Sequence, residues 1–515
     1  MAWLNQKFKE MKELLGGAVM AVILVNLLNA IFALSKDILL AGYLGTTKEA
    51  DSYFLSFFIP DMIGNNLFAV SAGVAAIPVF AAALTQMGER GLKTAYKSIM
   101  KMVIVIAVGL ALTIVVGATP LINLLGSGFA NYDKRTSIQL LICMAPIIIV
   151  YPMLTLRMAY LQVVRHPALA SISATIINAL TLILLIVLSF FQINRSVGIY
   201  YLALSMVLIV WVASYYLKRV MNSPSSNSIE EDKPYGKLFL KAFFPYLTMV
   251  FLTQGIFYFE RYLGSQLAPG SVAAINYVNR LSQFPILVFS FSIALVALPE
   301  FARLLSTNHS KEGSALYLKA MRTILIMSVP MAIGLSVLRE PILTVLFKHN
   351  AFDSESVLLS AEVMLGYGLS VIGQGVILLN IRVLIAMGKA FEPILLLVLN
   401  LLLNGVLDYL LVQHYGISGI GIGSFAGSII GAILLTALLL RRLQIKCRDE
   451  VGFLLKVIFI NVPPLLLAFL MNGVWHLLMI NKPIEIQLVF GLFSGISICI
   501  SSYYLAKVFK LMPSR

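Results

Sequence analysis

The stretch Tyr277–Pro299, YVNRLSQFPILVFSFSIALVALP, holds one charge, Arg280, and no other as far as Pro299. An uncharged run of this length reaches most of the way across about 30 Å of hydrocarbon as an α-helix. Its arginine sets the functional question. A charged side chain inside a membrane costs about 2.5–3.5 kcal/mol on insertion scales, so it needs a partner or a water-filled cavity.

Outward from this stretch the same pattern fills the chain. The protein is 60% hydrophobic and 12% charged, against about 25% charged residues in soluble domains. Alternating segments of about ten residues, the mark of a transmembrane barrel, are not visible. The sequence therefore predicts an all-α polytopic membrane protein with 14 spans, at roughly 17–46, 52–87, 94–126, 136–163, 167–194, 198–220, 235–268, 271–305, 315–349, 356–386, 389–414, 416–442, 451–478 and 485–509.

The net charge of +15 follows that topology. One set of loops receives Lys7, Lys9 and Lys12, then Arg90, Lys93, Arg165, Lys218, Arg219, Lys233, Arg303, Lys311, Lys389, Arg441, Arg442, Lys446 and Lys510. The other set holds little beyond Lys48, Lys134, Arg135, Arg195, Lys348 and Lys482. The positive-inside rule then puts both termini in the cytoplasm, as an even number of spans requires, and leaves no charge pattern to suggest nucleic-acid binding. The three cysteines, Cys143, Cys447 and Cys499, show neither a disulfide framework nor metal-ligand spacing. The N-terminal WLNQKFKEMKELL reads as an amphipathic lead-in to the first span, with no cleavable signal.

Two distant segments match. YLGTTKEADSYFLSFFIP from Tyr43 resembles YLGSQLAPGSVAAINYVNRLSQFP from Tyr262, and the P-x-F-A at Pro78 returns at Pro299. Both pairs share nearly the same offset, and that period holds six spans. An even number of spans per repeat makes the repeats parallel. The expected organisation is a six-helix lobe at 1–220, a cytoplasmic linker at 221–236, a second six-helix lobe at 237–446 and two further spans at 447–515. Two lobes around a midplane cavity suit alternating access.

Ionisable residues within the spans mark candidate sites. They are Lys36 with Asp37, Asp51, Asp61, Arg157, Glu260 with Arg261, Arg280, Arg339 with Glu340, Arg382 and Asp408. The sequence neighbours read as pairs, and Arg157 and Arg382, near cytoplasmic span ends, read as topology signals. Arg280 has no adjacent acid, and guanidinium matches phosphate through paired hydrogen bonds, so it suggests a cavity for a phosphate-bearing substrate. Helix breaks are expected at Pro60, Gly64 and Pro285, at Pro330 with Gly334, and at Gly366, Gly368, Gly373 and Gly375. No catalytic constellation, Walker loop or cofactor motif is visible, so the reading is of a transporter and not an enzyme, with no cofactor. Transport would then draw on an ion gradient, the membrane potential or the substrate gradient.

Three segments carry a family resemblance: KDILLAGYLGTTKEADSYFLSFFIPD with AAIPVFAA, INYVNRLSQFP with ALPEFARLLS, and LTVLFKHNAFDSES. Together they resemble the MurJ/MviN lipid II flippases of the multidrug/oligosaccharidyl-lipid/polysaccharide exporter superfamily, over nearly the whole chain. The resemblance implies a flippase of the bacterial inner membrane that turns an undecaprenyl-diphosphate-linked glycan from the cytoplasmic to the outer leaflet. Its lipid tail would ride in a groove involving the last two helices. The family's (R/K)D pair falls on Lys36 and Asp37, its second-helix start on Asp51 and Tyr53, its prolines on Pro60 and Pro78, and its eighth-helix motif on Tyr277, Arg280 and Pro285. The chain departs from the family at Asn29–Ala33, where one cavity arginine is alanine, and at Gly64, Asn65 and Ala69, which replace two arginines and a glutamate. Of the cationic cluster, Lys36 and Arg280 remain. Lys36, Asp37, Asp51, Asn65 and Arg280 are thus the expected cavity residues, and lipid II or another lipid-linked glycan, such as an exopolysaccharide or teichoic-type precursor, the expected cargo. A drug/cation antiporter of the same superfamily would want cavity carboxylates instead. A glycan polymerase would want large outer loops.

Overall fold

The computed structural model describes residues 17–164, 166–221, 235–294, 297, 301, 304, 310–387, 392–445, 447–479, 482–509 and 511. The N-terminal lead-in, the linker at 222–234 and Pro299 of the second P-x-F-A lie outside them. The described elements are helical, without a strand among them. Contacts divide the chain into two compact units, Met1–Gln254 and Gly255–Arg515.

In the first unit, α1 (Gly17–Leu44) is followed by α2 (Lys48–Pro60), a π-helical segment (Asp61–Ala69) and α3 (Val70–Val116). Then come α4 (Ala118–Leu125), α5 (Asn131–Met144), α6 (Ile147–Val163), α7 (Pro167–Phe190) and α8 (Arg195–Val220). Helix α9 (Tyr235–Ser265) contains the division between the units. The second unit continues with α10 (Ser271–Pro285), a π-helical segment (Ile286–Phe291), α11 (Ser310–Val337), α12 (Arg339–Phe347), α13 (Ser354–Ala386), α14 (Ile394–Tyr415) and α15 (Ile417–Arg442). It ends with α16 (Cys447–Ile460), α17 (Val462–Val474), a short π-helical segment (Trp475–Met479) and α18 (Ile484–Val508).

Twelve described helical stretches are long and apolar enough to cross a membrane. One of them, Lys48–Val116, has 69 residues, about 100 Å at 1.5 Å per residue and far too long for one crossing. It breaks at Gly88, whose φ of 62° and ψ of −154° turn the chain where a side chain would be strained. That stretch therefore holds two spans. The α10 span, whose described run stops at Ala294, is not among the twelve. Adding one for each brings the twelve to the expected fourteen.

The repeat extends to the element order. At nearly the offset set by YLG and P-x-F-A, the short helix α12 answers the short helix α4, and α15 answers α8. The second π segment answers the first about one helical turn beyond that offset. Both π segments start at the residue after a proline, Pro60 or Pro285. Proline has no N–H to donate and its ring crowds the carbonyl four residues back, so the ladder widens past it. Val70 N–H, for example, reaches back to Asn65 O.

Helix starts follow local chemistry. Thr47 Oγ1 accepts from Ala50 N–H at 3.2 Å, with Glu49 and Asp51 in the first turn of α2, where the helix dipole favours acids. Asp353 caps α13 by accepting from Ser356 N–H at 2.9 Å. Within the first unit α1 packs along α7, joined by Asn178 Nδ2 donating to Asn29 Oδ1 at 2.9 Å. The core between α3 and α6 is aromatic, with Phe80, Tyr96 and Tyr160 in mutual ring contact. Within the second unit α13 packs on α15 and α11.

Four glycines expected to break α13 do not. The helix runs unbroken from Ser354 to Ala386, because those positions let neighbouring helices approach closely. A Cβ on Gly366 would lie 2.0 Å from the Gly421 backbone, and one on Gly373 2.5 Å from that of Ser428. Gly368 and Gly375 instead make room for the side-chain hydroxyls of Ser336 and Ser290. Helix α11 likewise continues through Pro330 and Gly334. The last two spans are fastened to the second unit. Arg322 of α11 grips buried Glu450 of α16 through both nitrogens Nε and Nη2, and stacks over Phe453 at 5.0 Å. Ala468 and Ile498 pack with Ile333, Val337 and Leu338.

Candidate functional site

In the first unit, α1 carries Lys36 and Asp37, whose side chains pair at 3.2 Å while 14% and 17% exposed. The paired charges tolerate partial burial because each compensates the other. Asp51 is buried, 4% exposed, in the first turn of α2. Beyond Pro60, the π segment carries Gly64 and Asn65. Asn65 Nδ2 donates to Asp61 Oδ1 at 3.2 Å. Gly64 is buried against the backbone of α6: a Cβ there would come within 2.8 Å of Ile148 Cα. The π segment thus packs against α6 through Gly64 while the neighbouring Asn65 stays partly exposed. Asn29, at the family's departure in α1, serves the α1–α7 contact.

In the second unit, Arg280 lies partly exposed on α10, one turn after Asn276. Its Nε donates to Asn276 Oδ1 at 3.1 Å. Pro285 ends the helix shortly afterwards and opens the second π segment. The expected cation and the expected break therefore share one short stretch, and so do Asn65 and Pro60 in the first unit.

A second polar group in this unit was legible only in part from sequence. Glu260 is fully buried in α9 and accepts hydrogen bonds from Tyr367 of α13 and Ser424 of α15. Arg261 Nη1 stands 3.6 Å from it. Asp408 of α14 is fully buried beside Gly423 of α15, close enough to Glu260 for their charges to interact, and among the described residues neither carboxylate oxygen has a donor. Asn404, one turn earlier, has an unpartnered Oδ1 among the described residues and lies on Gly427. Unpaired acceptors buried at one place favour a small cation or a proton, since an isolated carboxylate in an apolar interior is strongly disfavoured. Among the described residues no cluster of three or more His, Cys, Asp or Glu exists that would suit a transition metal. The sequence exposed Glu260 and Asp408 as charges within spans. Tyr367, Ser424 and Asn404 were missed, their one signal being the glycines at 423 and 427 that let α14 and α15 touch.

Arg339 and Glu340, read from sequence as a pair, part company. Arg339 donates to Ser336 O at 2.9 Å, and Glu340 lies 3.5 Å from His476 Nε2 in the last-but-one span. The helix start that separates them directs the two side chains to different neighbours.

Comparison with known proteins adds four likenesses. The family model described as lipid II flippase MurJ matches residues 40–489. A probable lipid II flippase MurJ of Rhizobium tropici is 25% identical over 66% of this chain and 64% of its own length. One of Buchnera aphidicola is 26% identical over 93% of this chain and 95% of its own. A solved structure of lipid II flippase MurJ in an inward closed conformation superposes with a TM-score of 0.72 at 20% identity, covering 95% of this chain and all of that one.

Proposed function

The chain belongs to the MurJ lipid II flippase family, and from that premise we infer that it carries lipid II from the cytoplasmic to the outer leaflet of the bacterial inner membrane. The observation that carries this reading is the family match across residues 40–489, which takes in the first repeat beyond most of its first span, the second repeat and the last-but-one span. The repeated element order supports alternating access as the mechanism. Loop charges support a cytoplasmic position for both termini.

In this reading Arg280 of the second unit contacts the diphosphate of the cargo, and the Lys36–Asp37 pair of the first unit offers a polar surface of its own. Guanidinium can offer two parallel N–H donors to phosphate oxygens. Asp51 and Asn65 orient that polar surface, and the π segments after Pro60 and Pro285 are the points of flexure. The buried acceptors of Asp408 and Asn404, which have no donor among the described residues, supply a place for a coupling cation whose binding biases the second lobe. A cation that binds one conformation better shifts the equilibrium by that difference in affinity.

The test is a lipid II translocation assay with the purified chain in vesicles, scored by the access of an external enzyme to newly exposed lipid. Transfer that depends on the chain supports the reading, and no transfer by folded protein refutes it. Repeating the assay across sodium and proton gradients, with Asp408→Asn alongside, tests the coupling site. The variant should lose its dependence on the gradient while still folding; an unchanged dependence removes Asp408 from that role.

A further inference from the structure

Two polar stripes meet inside the second unit, where α10 packs on α13. Asn276, Arg280 and Gln283 stand at i, i+4 and i+7 of α10, and Tyr367, Ser370 and Gln374 at i, i+3 and i+7 of α13, so each set shares one helix face. The stripes join at a pair of glutamines. Gln283 Nε2 donates to Gln374 Oε1 at 3.0 Å, and Gln374 Nε2 donates to Ser370 Oγ at 2.9 Å. Ser370 Oγ in turn donates to the backbone carbonyl of Tyr367 at 2.8 Å.

That last bond sets the sense of the whole chain. The Tyr367 carbonyl can only accept, so the Ser370 hydroxyl gives its proton there and offers its lone pairs to Gln374. Gln374 must then present its amide nitrogen to the serine and its oxygen to Gln283. Gln283 therefore turns its own nitrogen towards α13, which leaves Oε1 on the other side of the amide plane. A carboxamide has two N–H donors and one oxygen acceptor. Among the described residues neither glutamine makes a further hydrogen bond, so Gln283 Oε1 and one N–H on each glutamine remain. Both side chains are partly exposed, as is Arg280.

Polar residues commonly join membrane helices, and a single amide bond between α10 and α13 would serve that end. Joining helices does not require an acceptor turned away from the joint. Gln283 lies about 4.5 Å along the axis from Arg280, the reach from a phosphate to the nearest substituents of the sugar it carries. An acetamido group holds its donor and its acceptor on separate atoms of one plane, so it can meet Oε1 and one of the two remaining N–H groups together. A hydroxyl holds both on one oxygen.

We propose that Gln283 is a specificity residue for the cargo, binding the acetamido group of an N-acetylated sugar on the diphosphate, and that Gln374 positions it. The proposal rests on the reading that Arg280 contacts the diphosphate.

The experiment compares three lipids on the full chain in detergent, with bound lipid counted by native mass spectrometry. They are undecaprenyl diphosphate carrying N-acetylglucosamine, the same lipid carrying galactose, and bare undecaprenyl diphosphate. Wild type should favour the N-acetylated lipid over the galactosyl lipid about fivefold, the worth of one neutral hydrogen bond. Gln283→Met should bring that ratio close to one while leaving the bare lipid bound as before. Gln374→Met should lower the ratio part of the way, and the double variant should fall no further than Gln283→Met, since one residue acts through the other. Arg280→Ala should weaken all three lipids alike. Each ratio is taken within one variant, so a smaller yield of folded protein does not enter it. An unchanged ratio in Gln283→Met, with or without a lower melting temperature, overturns the proposal and leaves the glutamines as a helix joint. Equal binding of the two glycolipids by wild type overturns it as well, and in both cases retention of the bare diphosphate keeps the flippase reading intact. Wild type that retains none of the three lipids overturns both.

Discussion

Replacing Arg280 separates cargo binding from folding, because the structure gives the two roles different magnitudes. The bond from Arg280 Nε to Asn276 Oδ1 joins the guanidinium to a neutral amide on a partly exposed helix face. Losing such a bond costs about 1 kcal/mol of stability. A pair of hydrogen bonds to a diphosphate is worth more, about 1.5–3 kcal/mol for each charged contact, so removing them should slow translocation by about a hundredfold or more. Arg280→Ala should therefore fold and insert with a melting temperature only a few degrees lower, yet flip lipid II far more slowly per folded molecule. Arg280→Lys keeps the charge but loses the fork, and should lie between. Asn276→Ala removes the intrahelical partner alone and should keep most activity. The assay counts folded protein by size-exclusion chromatography and flipped lipid by external enzyme access in the same vesicles. Wild-type flipping in folded Arg280→Ala would refute the reasoning, and so would equal loss in Asn276→Ala, which would make Arg280 a structural residue.

Gly366→Ala should destabilise by about 3 kcal/mol or more, because its methyl would fall 2.0 Å from the Gly421 backbone and force α13 from α15; a thermal shift in detergent reads this, and an unchanged melting temperature would contradict the packing role. Arg322→Ala strands Glu450, whose side chain is 5% exposed, and should cost about 2–4 kcal/mol, less than for a fully buried pair because Arg322 is 34% exposed; limited proteolysis should then cut first in the last two spans. Removing one residue from Asp61–Ala69 should restore an α-helical register and abolish flipping without unfolding the protein, whereas retained flipping would show that the wide turns are dispensable. The Ser356 N–H holds the Asp353 carboxyl below its usual range, so the cap contributes above the unfolded carboxyl range and is lost as pH falls through the folded value. Asp353→Ala should accordingly cost about 1 kcal/mol at pH 7, with the difference vanishing in acid; a gap that persists there would exclude the ionised cap as its source.

The amino-acid sequence by itself determined the class of protein, the spans and the repeat. Those properties rest on local sums: a long enough apolar run crosses a bilayer whatever it packs against, and the period survives in YLG and P-x-F-A without any knowledge of contacts. It also placed Lys36, Asp37 and Arg280 as costly charges, since the membrane penalises each residue individually. Tertiary structure decided what a neighbour in space decides. The glycines of α13 read as flexure in sequence, and only the approach of Gly421 and Ser428 turns them into a packing seam. Arg339 and Glu340 looked like a pair, until a helix start sent them to Ser336 and His476. The π segments depend on how the ladder recovers beyond Pro60 and Pro285, whereas Pro330 lies inside a helix that continues. Arg157 and Arg382 occupy related places in the two repeats, yet one donates to Ser214 and the other lies over Phe291. Asn380, on the same helix as Arg382, takes up Tyr317 and Thr436, a choice among hydrogen-bond partners from three helices that no single stretch of sequence contains.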